Sequence, residues 1–169
     1  PHCTAMTLLI GYGNTLRGDD GIGAVVARRL ATRVDREDVT IMALRQLTPE
    51  LIEPISRARA VVFVDACHAE WAGLVRCVSV PSPADSEPGA QPSGAFTHNV
   101  TPAALLAGAQ ALYGAAPRAV LVTVSGESFE FGESFSPPVA GALPRLLDTL
   151  QKALESGSAV DALLSMLRA

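Results

Sequence analysis

The 169-residue chain is poor in aromatic residues and cysteines and has no excess of positive charge. Aromatics make up only 5%, which does not suit a surface for stacking nucleic-acid bases, and the net charge of −4 opposes general nucleic-acid binding. No run approaches the roughly 18 consecutive apolar residues of a membrane span. The three cysteines, Cys3, Cys67 and Cys77, form no CxxC pair, so neither a disulfide framework nor a cysteine-rich zinc site is expected. We therefore expect a cytoplasmic protein that binds neither nucleic acid nor membrane.

Hydrophobic residues make up 49% of the chain, and their spacing predicts strands that alternate with helices. Strands are predicted at residues 7–12, 38–44, 60–66, 73–80 and 118–125. Helices are predicted at 21–31, from 49 to a stop or kink at Pro54, at 102–113, from 137 to about 154, and within 157–169. This order predicts an α/β fold in three layers, with a mostly parallel sheet between helices on both faces. The short connection from Ala66 to Gly73 predicts one antiparallel pair.

The chain shows no internal repeat and no composition change that would mark a domain boundary, so residues 1–169 are interpreted as a single domain. Residues 1–6 are expected to be disordered or to precede the natural start. Residues 157–169 are expected to form an extra C-terminal helix or a tail. Residues 81–93 contain four prolines and are predicted to be a loop, the one candidate for a lid or a partner contact.

A glycine-rich turn with two adjacent acids, GYGNTLRGDDGIG, occupies residues 11–23. A dinucleotide-binding GxGxxG turn needs a third glycine where this chain has Leu16. A phosphate-binding loop needs lysine after its last glycine, whereas Gly18 is followed by Asp19 and Asp20. Carboxylates at a helix N-terminus would also repel phosphate. The turn therefore disfavours nucleotide binding.

The two acids of this turn have a structural and a chemical interpretation. Either can cap the following helix, an interaction worth about 1 kcal/mol. However, Asp65 ends a buried strand, and His98 precedes the helix that begins at Thr101 and Pro102. Asp20, Asp65 and His98 can therefore converge at the carboxyl edge of the sheet. Two carboxylates and an imidazole suit a divalent-metal site or acid–base catalysis. Asp19 is then expected to be the cap and Asp20 the ligand.

Other residues are weaker candidates for chemistry. Cys67 and His68 are adjacent on an extended segment, where neighbouring side chains point to opposite sides, so they make a poor nucleophile–base pair. Asn14 is expected to stabilise the turn through its side chain. Arg17 and Gln46 are candidates for substrate contacts, with simple exposure to solvent as the alternative.

The segment LLIGYGNTLRGDDGIGAVVARRL resembles the signature of the hydrogenase maturation endopeptidases, which process the large subunit of [NiFe] hydrogenases. Later segments resemble that family in the same order: QLTPEL, VVFVDA, THNVTPAALLAGAQALYG and FSPPVAGALPRLLDTL. The resemblance covers about residues 7–152. It implies a twisted, mostly parallel five-stranded sheet between helices.

The resemblance also implies an activity. Members of the family remove a C-terminal extension from the large-subunit precursor after nickel has been inserted. The family's metal-contacting residues fall on Asp20, Asp65 and His98, and some members have glutamate in place of Asp20. Nickel is thus expected as a feature recognised in the precursor, and the three residues are expected to contact it and to take part in catalysis. Three alternatives stay open: a non-catalytic nickel-binding assembly chaperone, a spore-type endopeptidase of similar fold, and a Rossmann-like cofactor-binding enzyme.

Overall fold

The computed structural model describes residues 6–83 and 100–167. Five strands form one sheet: β1 (Met6–Tyr12), β2 (Val39–Leu44), β3 (Ala58–His68), β4 (Val75–Ser79) and β5 (Arg118–Gly126). The helices are α1 (Ile22–Ala31), α2 (Ile52–Arg57), α3 (Pro102–Tyr113), α4 (Pro137–Glu155) and α5 (Ala159–Met166). Single 3₁₀ turns at Gly18–Gly21 and Pro49–Leu51 lead into α1 and α2.

Alternate residues of the strands contribute to two separate cores. Val62 and Val64 of β3 pack with α1, α4 and α5, whereas Val61 and Phe63 pack with α2 and α3. Because helices cover both faces of the central strands, these strands are continuous apolar runs in the sequence. The predicted three-layer α/β fold with a mostly parallel five-stranded sheet is confirmed.

The strand order is β2-β1-β3-β5-β4, and it corrects the prediction that the short 66–73 connection joins neighbouring strands. There is one antiparallel pair, but it joins β4 to β5, with β5 lying between β3 and β4. The burial pattern gives the reason. Strand β5 is largely buried and needs a partner on each side, whereas β4 is half exposed and suits an edge.

The helix boundaries follow the capping signals. The side chain of Thr101 accepts a hydrogen bond from the Ala104 N–H, and α3 ends at Gly114 in the left-handed conformation. The second helix does not stop at Pro54. It changes from 3₁₀ to α at Ile52 and continues through Pro54, which lies in the first turn of α2 where proline is tolerated.

Part of the chain's C-terminal segment forms α5, whose Val160 and Leu163 are buried in the core shared with α1 and α4. Most of the predicted 81–93 loop falls outside the described residues. Within the described ranges, no helix is long and apolar enough to cross a membrane.

Candidate functional site

The turn after β1 brings helix α1 unusually close to the sheet. A Cβ at Gly23 would overlap the carbonyl oxygens of Val64 and Tyr12, and a Cβ at Gly11 would overlap the carbonyl oxygen of Gly23. Gly23 thus permits the close helix–strand approach that a GxGxxG turn obtains from its third glycine, so the presence of Leu16 does not prevent it. The turn also uses a positive φ of 52° at Gly18.

Asp19 is fully buried, and its contacts correct the prediction that it caps the helix after the turn. Neither the 3₁₀ turn nor α1 has a side-chain cap. Instead, Oδ2 of Asp19 accepts hydrogen bonds from the N–H groups of Glu127 and Ser128 at 2.8 and 3.0 Å and from the Ser136 hydroxyl at 2.7 Å. Oδ1 accepts the Ser136 N–H at 2.8 Å. Asp19 therefore ties the glycine-rich turn to the segment between β5 and α4.

The titration of Asp19 reflects these contacts. Burial acts to raise its pKa, but the hydrogen bonds from Ser128, Ser136 and Glu127 outweigh burial, and the pKa lies below its ordinary value. Asp19 is thus an ionised structural carboxylate.

Asp20 is directed differently from its neighbour and is partly exposed. Its Oδ2 accepts the Asn14 N–H at 2.8 Å, and the Asn14 Oδ1 accepts the Leu16 N–H at 3.1 Å. The second contact is a side-chain turn of the kind predicted for Asn14. The backbone of the turn therefore orients Asp20 without burying it.

Asp65 lies near the carboxyl end of β3. The β1–β3 register places Gly11 opposite Val64, so Tyr12 and Asp65 are the next lateral neighbours. The chain leaves β1 towards β2 on one side, while β3 lies on the other side, so this is the switch point at which open α/β sheets bind ligands.

The environment of Asp65 raises its pKa to about 6. Burial is the main cause and the negative charge of Asp20 adds to it, whereas hydrogen bonds from the Tyr12 hydroxyl and the Ala66 N–H act in the opposite direction. The Ala66 N–H donates to Oδ1 of Asp65 at 2.8 Å. The structure thus brings Asp20 and Asp65 within electrostatic range of each other.

The third predicted site residue, His98, lies outside the described residues. The described chain resumes at Val100, which packs against the core shared by α2 and α3. Within residues 6–83 and 100–167, no group of three or more His, Cys, Asp or Glu side chains is placed to hold a metal ion. The assignment of Asp20, Asp65 and His98 as one site therefore stays a prediction.

The remaining candidates take ordinary structural positions. The His68 ring packs against Phe129, with the ring centroids 4.1 Å apart and the ring planes tilted by 35°, and Cys67 is half buried beside it in β3. Arg17 and Gln46 are exposed. Sequence reasoning missed Tyr12, although its position at the end of a buried strand is the same signal that singled out Asp65.

Comparisons with known proteins identify the fold. No known family profile and no curated protein sequence matches the chain. Among solved structures, the hydrogenase maturating endopeptidase HybD from E. coli is 23% identical, with a TM-score of 0.70 over 90% of this chain and 93% of that one. The [NiFe] hydrogenase maturation protease HycI from Thermococcus kodakarensis KOD1 is also 23% identical, with a TM-score of 0.65 over 89% and 93%.

A third neighbour is a hydrogenase 2 maturation peptidase from a Thaumarchaeota archaeon. It is 21% identical, with a TM-score of 0.64 over 89% of this chain and 98% of that chain. The chain thus has the α/β fold of the [NiFe] hydrogenase maturation proteases along nearly its whole length. This is the fold that the sequence resemblance implies.

Proposed function

We propose that the chain is an endopeptidase that removes the C-terminal extension of a nickel-loaded [NiFe] hydrogenase large-subunit precursor. The observation that carries the proposal is the half-buried Asp65 at the β1–β3 switch point, where burial and the charge of Asp20 raise its pKa to about 6. The solved structures that share the fold are named as hydrogenase maturation proteases, which supports the same reaction class.

The chemistry of the paired acids fits contact with nickel held by the precursor. Nickel(II) accepts carboxylate and imidazole ligands, which Asp20, Asp65 and His98 would supply. Backbone N–H groups orient both carboxylates in advance, at Asn14 for Asp20 and at Ala66 for Asp65. Docking on the metal would place the scissile peptide bond at the carboxyl edge of the sheet, so that cleavage depends on nickel loading.

The acids also suit proton transfer during hydrolysis. A carboxylate whose pKa is about 6 can accept a proton from an attacking water near neutral pH more readily than an ordinary aspartate. We therefore propose that during hydrolysis Asp20 and His98 keep contact with the nickel while Asp65 accepts the proton of the attacking water, with the nickel of the substrate available to polarise the peptide carbonyl.

The test is cleavage of a purified nickel-loaded precursor, followed by intact-protein mass spectrometry. We expect the wild type to shorten many precursor molecules per enzyme molecule. Asp20→Asn, Asp65→Asn and His98→Ala should each slow cleavage at least about 100-fold, a typical cost of losing an acid–base group. The exposed Asp35→Asn variant is the matched control and should cleave like the wild type.

A nickel-binding assembly chaperone would use the same residues but would leave the precursor mass unchanged. Near-normal cleavage by a folded variant of Asp20, Asp65 or His98 would remove that residue from the proposed site. Full cleavage of nickel-free precursor would contradict the metal-contact role while leaving the peptidase assignment intact.

A further inference from the structure

The chain's only tryptophan, Trp71, lies in the turn between β3 and β4 and is 68% exposed. Tryptophan is enriched among the residues that carry the binding energy of protein interfaces, because it brings a large apolar surface to the contact. The turn lies at the carboxyl edge of the sheet, since His68 near the end of β3 pairs with Gly126 at the end of β5. Trp71 is therefore exposed at the same edge as Asp65.

The backbone of this turn is held in place although the indole is exposed. The buried Ser125 hydroxyl donates a hydrogen bond to the Trp71 carbonyl oxygen and accepts one from the Leu74 N–H at 2.9 Å. The Gly73 N–H donates to the Ser125 carbonyl oxygen at 2.7 Å. Gly73 has a positive φ of 78°, and a Cβ there would lie 2.7 Å from the Pro138 carbonyl oxygen at the start of α4. A partner that binds Trp71 thus meets a backbone that is already ordered, which lowers the entropy cost of binding.

A pocket of about 500 Å³ lies beside the indole. Its lining comes from the ends of β3 and β5, the β3–β4 turn and the start of α4, and includes His68, Glu70, Trp71, Gly126, Glu127 and Pro138. A Cβ at Gly126 would lie 2.5 Å from the Phe129 ring, so the glycine makes room for the ring that packs against His68. The pocket therefore combines aromatic side chains with two carboxylates.

The charge around the pocket is mostly negative. Glu70 and Glu127 line it, and Glu130 and Glu133 follow in the segment after β5. No salt bridge within the described residues 6–83 and 100–167 involves any of these four side chains. Arg17, whose backbone pairs with the same segment, supplies one positive charge. A partner that brings a basic side chain is therefore favoured, and one that brings an acidic side chain is repelled.

We propose that Trp71 and this pocket form a docking site for the large-subunit precursor and bind a basic side chain within about three residues of the scissile bond. An arginine suits the site best, because its planar guanidinium packs on an indole face and pairs with carboxylates. Asp65 and His68 are three residues apart on β3, a span of about 10 Å, which an extended precursor segment of about three residues covers. The identity of the partner rests on the proposed function.

The first test needs no precursor and uses the fluorescence of Trp71, which reports this site alone because the chain has no other tryptophan. The probe is the peptide acetyl-Leu-Arg-Leu-amide, and its counterpart has citrulline, a neutral residue of the same shape, in place of arginine. We expect the arginine probe to change the emission with a Kd of about 1 mM or lower, and the citrulline probe to bind at least about 5-fold more weakly.

Variants of the two lining glutamates locate the binding. Glu70→Gln and Glu127→Gln should each raise the Kd of the arginine probe roughly 2–5-fold, as for exposed charge pairs. The matched control is Glu37→Gln, an exposed glutamate before β2 at the opposite edge of the sheet, which should leave the Kd unchanged. Equal binding of the two probes, a Kd that neither lining variant changes, or no change in emission up to about 10 mM probe would overturn the proposal.

The second test is the kinetics of precursor cleavage by Trp71→Ala. We expect KM to rise at least about 5-fold with kcat within about twofold of the wild type, because the indole binds the precursor away from the reacting atoms. Leu112→Ala removes another exposed apolar side chain, at the end of α3, and should leave both constants unchanged. Wild-type KM for a folded Trp71→Ala variant would overturn the docking role.

The two tests separate the inference from the proposed function. If the wild type fails to cleave the precursor while the two probes differ as predicted, the proposed activity is wrong and the pocket for a basic side chain is right. If the probes bind alike, the pocket does not select a basic side chain, whatever the outcome of cleavage.

Discussion

Replacement of Asp19 by asparagine should strongly destabilise the protein, although it only exchanges one carboxylate oxygen for an NH2 group. The buried carboxylate accepts four hydrogen bonds, three at Oδ2 and one at Oδ1. The best orientation of the amide places its oxygen at the Oδ2 position. The amide nitrogen then faces the Ser136 N–H, so two donors meet in a buried place.

The magnitude follows from these contacts. Three charge-assisted hydrogen bonds become neutral, at a loss of about 0.5–1 kcal/mol each, and one buried donor loses its partner at a cost of about 1–3 kcal/mol. The free energy of unfolding should therefore fall by about 2.5–6 kcal/mol. For a chain of this size, that corresponds to a decrease in Tm of roughly 5–24 °C.

The assay is urea denaturation followed by circular dichroism at pH 7, in parallel for three variants. Ser136→Ala removes only the hydroxyl donor and should cost about 1 kcal/mol. The control is Asp161→Asn, which breaks an exposed ion pair with Arg118 and should cost less than about 1 kcal/mol. An Asp19→Asn variant within about 1 kcal/mol of the wild type would refute the claim that the Asp19 carboxylate holds the glycine-rich turn to the segment between β5 and α4.

The pH dependence of stability provides a second test of the Asp19 contacts. Because folding lowers the pKa of Asp19, its ionised form stabilises the protein above the unfolded pKa, which is near the 3.8 of a free aspartate. That stabilisation is lost as the pH falls through the lower folded pKa. The difference between wild type and Asp19→Asn should therefore be full at pH 7 and shrink below pH 4.

Two further predictions concern the close packing at Gly23 and the pKa of Asp65. Gly23→Ala should prevent folding or cost several kcal/mol, because the added Cβ would overlap two backbone carbonyl oxygens. The control is Gly141→Ala on α4, where a Cβ would have no atom within 4 Å and should raise stability by up to about 1 kcal/mol, and thermal denaturation of both variants tests the prediction. Folding raises the pKa of Asp65 to about 6, so the contribution of Asp65 to stability should be full below pH 4 and should decline by up to about 3 kcal/mol as the pH rises through 6. Asp65→Asn should remove that decline in denaturant titrations at successive pH values.

The layers of the fold could be predicted because each depends on local patterns. The apolar runs of β3 and β5 require cover on both faces, and Thr101 with Gly114 marks both ends of α3. The strand order could not be predicted from the length of a connection, because the half-exposed β4 pairs with a strand that comes more than 35 residues later in the chain.

The roles of the two turn acids show the same limit at the level of single residues. Asp20 is oriented by Asn14, six residues away, and its role in the turn was accessible to local reasoning. Asp19 binds partners that lie 108 to 117 residues away, so no local pattern could reveal that it stabilises another segment. The placement of Tyr12 beside Asp65 likewise depends on the register of two strands, which the sequence alone does not specify.

The most direct measurement of the central claim is the mass of a nickel-loaded large-subunit precursor after incubation with catalytic amounts of this protein. We predict loss of a C-terminal peptide from most precursor molecules with the wild type, and a rate at least about 100-fold lower with Asp65→Asn. A precursor of unchanged mass after incubation with folded wild-type protein would contradict the claim that this chain is the peptidase.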